Sequence, residues 1–89
     1  MNGLNYQILR TIDSMKTMTC KQLGGACDVE FQANTFDEMA SLSRQHGMEM
    51  FQNGDAAHME AMQIMQAMMQ QPGELQKWME AKEKEFNAL

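Results

Sequence analysis

Hydrophobic and polar positions change period along this chain. Around residues 15–33, the β-favouring Thr17, Thr19, Val29 and Phe31 flank Leu23-Gly24-Gly25-Ala26, and Gly-Gly between two short runs signals a hairpin turn. Strands are predicted over about 16–22 and 27–33. With Gly24 and Gly25 at the centre of the turn, Leu23 faces Ala26, Gln22 faces Cys27 and Cys20 faces Val29. Alternation then places Cys20, Gln22, Cys27 and Val29 on one face, both sulfurs pointing the same way. Diagonal neighbours of this kind have Cα atoms roughly 7–8 Å apart, which suits two thiolates converging on one ion better than an unstrained disulfide.

From Thr35 onward the period is helical. Thr35 with Glu38 three residues later forms a capping box, and Met39, Leu42, Ser43, His46 and Met50 make an inward stripe that ends near Asn53-Gly54. Asp55 is an N-cap for a second helix, which Pro72-Gly73 stops near Gln71. Its stripe is His58, Met62, Met65 and Met69, within a sector of roughly 60°. A third helix over about 74–88 places Leu75, Trp78, Met79, Lys82 and Phe86 on one side, with Glu80, Glu83, Lys84 and Glu85 outside. The expected fold class is α+β: a two-stranded β-hairpin packed on two or three α-helices. Its core would hold Trp78, Phe31, Phe36, Phe86 and the methionines. Residues 1–14, with Leu4, Ile8, Leu9 and Ile12 as a weak stripe, are expected to form an N-terminal arm or start extension before a single domain over 15–89.

Length and charge narrow the function. Eighty-nine residues bury too little surface for generous stability, so a staple such as a metal would help. A net charge of −5 with only scattered Lys and Arg argues against nucleic acid as a partner. There is no apolar run of membrane-spanning length and no secretory signal pattern, which predicts a cytoplasmic protein without a membrane partner. In that compartment the two cysteines are expected as thiols or thiolates rather than a disulfide.

Cys20, Cys27, His46 and His58 together supply a Cys2His2 inventory, the thiolate and imidazole donors that zinc takes in a tetrahedral set. Their spacing lacks the tight pairs common in structural zinc sites, but one hairpin face and two inward helix positions can bring them together. The same residues also have plainer uses, Cys as a small apolar filler and His as a hydrogen-bonded core residue. A redox pair lacks the C-x-x-C spacing. The twelve methionines invite a copper site beside His58, yet they fall where core or an adaptable partner surface is expected. No catalytic triad, phosphate-cradling loop or H-E-x-x-H run is present, so the protein is expected not to be an enzyme and to have no catalytic residues.

The run Thr19-Cys20-Lys21-Gln22-Leu23-Gly24-Gly25-Ala26-Cys27-Asp28, with Thr35 and its acidic neighbours and His46 beyond, resembles a family of short prokaryotic proteins described as predicted small metal-binding proteins. The likeness covers residues 15 to about 54. The remainder resembles a longer branch through Gly54-Asp55-x-x-His58, Pro72, Trp78, Lys84 and Phe86. The resemblance implies that Cys20, Cys27 and His46 are ligands and that the domain begins at Met15. Many members carry a second histidine about five residues after the first; Phe51 stands there in this chain, so the longer branch implies His58 as the substitute, the alternatives being a three-coordinate, incomplete or absent site. The leading expectation is a small non-enzymatic metal-binding protein, with zinc favoured, of unknown pathway. The alternative is a metal-free interaction or self-association module, in which Met62, Met65 and Met69 face a protein partner or a second copy.

Overall fold

The computed structural model describes residues 15–89, and the expected arm over residues 1–14 lies outside them. Strand β1 (Lys16–Thr19) and strand β2 (Glu30–Ala33) form an antiparallel pair, followed by α1 (Phe36–Gln52), α2 (Ala56–Met69) and α3 (Glu74–Asn87). The fold is α+β in one small domain, as the periodicity implied.

Pairing joins Lys16 to Ala33, Thr17 to Gln32, Met18 to Phe31 and Thr19 to Glu30. This is the expected register, and it extends one step further through the Cys20 N–H to the Val29 carbonyl at 2.9 Å. Beyond that point the expected hairpin is corrected. The strands end at Thr19 and Glu30, and Lys21–Leu23 forms a single 3₁₀ turn closed by Gly24 at φ 91°. The Cys20 carbonyl accepts from Leu23 at 3.0 Å and from Gly25 at 2.8 Å, and the Lys21 N–H reaches the Cys27 carbonyl at 3.0 Å. These bonds coil residues 20–27 into a knuckle. Strand alternation therefore does not govern it: Gln22 and Val29 are exposed and do not share the cysteines' face. Gln22 instead accepts the Thr19 N–H through its amide oxygen at 2.7 Å.

Each helix begins where its cap stands. Thr35 Oγ1 accepts the Glu38 N–H at 3.2 Å, Asp55 Oδ2 accepts the His58 N–H at 3.0 Å, and Gly73 enters α3 at φ 77°. The Thr35 and Asp55 side chains satisfy donors that the first turn leaves open, each worth about 1 kcal/mol, whereas Gly73 makes no side-chain cap.

The core is smaller than expected and lies between the hairpin, the start of α1 and the end of α3. It contains Met18, Cys20, Leu23, Phe31, Ala33, Phe36, Met39 and Phe86. Phe36 and Phe86 meet edge to face at 6.0 Å, with Lys16 Nζ above the Phe86 ring and donating to its carbonyl at 3.1 Å. Trp78, expected in the core, is only half-buried, as are Met62 and Met65; Met48 and Met69 are exposed. Among the described residues, three helices and a short hairpin leave one side of α2 uncovered.

Candidate metal centre

The knuckle turns Cys20 and Cys27 toward the inward faces of α1 and α2. Cys20 Sγ lies 3.6 Å from His58 Nε2, and Cys27 Sγ lies 3.3 Å from His46 Nε2. One ligand atom from each of the four residues falls within 4.8 Å of all the others. A tetrahedral zinc with ordinary Zn–S and Zn–N bonds sets sulfur and nitrogen about 3.6 Å apart along an edge. These two sulfur–nitrogen pairs are close to that length, and with every pair within 4.8 Å the four donors would draw together slightly around a small divalent ion. Both cysteines are free thiols. The structure thus brings together all four residues singled out by sequence, and they could hold a metal ion.

The surroundings act unequally on the four residues. Cys20 and His58 are 3% and 4% exposed, whereas Cys27 and His46 are half-buried. Burial raises the Cys20 thiol pKa, opposed by hydrogen bonds from the Cys27 and Ala26 backbone N–H groups. The Cys27 thiol pKa is lowered chiefly by the Val29 N–H, with His58 and Cys20 adding to the effect against burial. His58 is raised by the Asp55 carboxylate against burial, and Asp55 is lowered in turn by the His58 ring and backbone N–H. His58 therefore acts on both sulfurs, within contact distance of Cys20 and strengthening the thiolate form of Cys27.

Two contributors were not singled out from sequence. Asp55 was legible only as a cap, although Asp-x-x-His places its carboxylate beside the ring of the residue it caps; Oδ2 lies 2.6 Å from His58 Nδ1. Gly25 has no positive φ to explain it, but a Cβ there would stand 2.1 Å from Cys20 Sγ. Only a residue without a side chain leaves room for that sulfur. Phe51, at the position where the resembled family carries a second histidine, is 53% exposed.

An apolar groove of about 720 Å³ runs from the knuckle between the helices, with Cys20 and His58 at its inner end and Met62, Met65 and Trp78 along it. Among the described residues, no helix is long and apolar enough to cross a membrane. No family model, curated protein or solved structure matches the chain.

Proposed function

We propose that this chain is a small, non-enzymatic zinc-binding protein whose ligands are Cys20, Cys27, His46 and His58. The observation that carries the reading is the convergence of two sulfurs and two imidazole nitrogens within 4.8 Å. The ion would join three parts of the chain, the knuckle through both cysteines, α1 through His46 and α2 through His58. Its binding energy would then contribute to folding, a role suited to a domain with so small a core. Thiolate and imidazole donors favour zinc over magnesium or calcium, which take oxygen. The free thiols fit a cytoplasmic setting, and the resemblance of the cysteine segment to small metal-binding proteins points the same way. Cys20→Ser tests the assignment: it should remove bound zinc and lower the melting temperature to that of chelated wild type. Unchanged zinc content and melting temperature would refute it.

A second reading is favoured by the groove. Met62 and Met65 are half-buried and Met69 is 52% exposed, a surface able to associate with another copy without any metal. Sedimentation equilibrium decides it, since Met62→Ser with Met65→Ser would abolish self-association and leave zinc content unchanged.

A further inference from the structure

The two imidazoles are held in unequal ways. Asp55 closes the turn between α1 and α2 and uses one oxygen twice: Oδ2 accepts the His58 backbone N–H at 3.0 Å and lies 2.6 Å from Nδ1 of the same ring. A carboxylate at Nδ1 keeps the proton there and leaves the Nε2 lone pair facing Cys20 Sγ. Side chain and backbone of His58 are thus fixed by a single group. Among the described residues, no carboxylate supports His46 in this way. Its ring rests edge-on against Phe31 at 5.6 Å and against His58 at 5.2 Å. Among the described residues, its hydrogen-bonding contact is Nε2 to Cys27 Sγ. His58 and Cys20 are also the buried pair, whereas His46 and Cys27 are open to solvent on one side.

We propose that Asp55 is the positioning residue of this centre, fixing His58 as the anchor ligand, and that a bound ion exchanges through the half-buried His46–Cys27 edge. The inference rests on the metal reading above. A carboxylate behind a ligating imidazole fixes its tautomer and orientation and raises its basicity, and losing such a partner costs about 10–100-fold in affinity. The sequence carries the device in compressed form, because an N-cap Asp three residues before a ligand reaches both the backbone and the ring.

Cobalt(II) is the probe, since its thiolate charge-transfer and d–d bands report the ligand set directly. Asp55→Ser and Asp55→Asn both preserve an N-cap. Serine is too short to support the ring, and asparagine offers a neutral acceptor. Affinity is read by competition with a chelator, and dissociation by adding excess chelator to the loaded protein. Asp55→Ser should bind cobalt about 10–100-fold more weakly than wild type and release it faster, with Asp55→Asn between the two. Circular dichroism of the metal-free proteins should show equal helix content. His46→Ala should retain tighter binding than His58→Ala. Wild-type affinity in both Asp55 variants would overturn the inference, as would a greater loss in His46→Ala than in His58→Ala. If Asp55→Ser fails to fold, Asp55→Asn decides. Failure of wild type to take up cobalt would refute the metal reading itself, which the variants alone cannot do.

Discussion

Replacing Gly25 by alanine tests the centre without touching any ligand. The added Cβ would lie 2.1 Å from Cys20 Sγ and 3.1 Å from the Cys20 carbonyl oxygen, whereas real Cβ atoms essentially never approach a heavy atom within 3.0 Å. The sulfur and the Gly25 backbone must therefore separate by about 0.9 Å or more, several times the ~0.2 Å latitude of a metal–ligand distance. A structural zinc site supplies on the order of 10–16 kcal/mol, so an equal share for one of four ligands is about 2.5–4 kcal/mol, or on the order of 10²–10³-fold in affinity. The assay is zinc competition with a chromophoric chelator, with Gly47→Ala as the control. A Cβ at Gly47 would meet only Met62 Cε at 3.4 Å, an ordinary contact, and Ala there should add about 1 kcal/mol of helix propensity while leaving affinity unchanged. Gly25→Ala binding zinc as tightly as wild type would refute the role given to Cys20 and the reason given for this glycine.

In the metal-free protein, Cys27 should alkylate well before Cys20, because it is more exposed and its thiol pKa is lowered while that of Cys20 is raised; peptide mapping after brief iodoacetamide treatment checks the order, and zinc should protect both. The His58–Asp55 pair gives the metal-free protein a pH signature. His58 is raised above 6.5, so its contribution is complete below that value and is lost as pH rises through the raised pKa; Asp55 is lowered below 3.8, so its contribution is complete above that value and is lost as pH falls through the depressed pKa. Urea midpoints should therefore be highest between these limits, and Asp55→Asn should flatten the profile. Phe86→Ala removes a ring that is 3% exposed against Phe36 and should cost about 3–5 kcal/mol in urea unfolding, a large part of the stability of so small a domain.

The helices were legible because their ends are written locally. Thr35, Asp55 and Pro72-Gly73 set the boundaries, and the stripes placed His46 and His58 inward. Strand register was legible as well, since Cys20 does oppose Val29. The knuckle was not, because a Gly-Gly pair serves a two-residue hairpin turn and a coiled loop equally well; the choice is made by N–H groups that close on the Cys20 carbonyl. The cysteines therefore converge as expected, but by loop closure rather than by strand alternation. The half-burial of Trp78 and Met65 was hidden for another reason. A helix stripe shows which side faces inward, but not how much of it the neighbouring elements cover. Asp55 acting on the ring was concealed by its adequacy as a cap, one residue type satisfying two demands at the same spacing.

Elemental analysis asks whether the four converging residues hold an ion at all. The chain should be purified without a metal-binding tag or chelator, and its native thiols titrated in parallel. The protein should carry one equivalent of zinc per chain, with two thiols that react only after the ion is removed and a lower melting temperature on chelation. A stable, metal-free protein with two freely titrating thiols and a melting temperature indifferent to added zinc would contradict it.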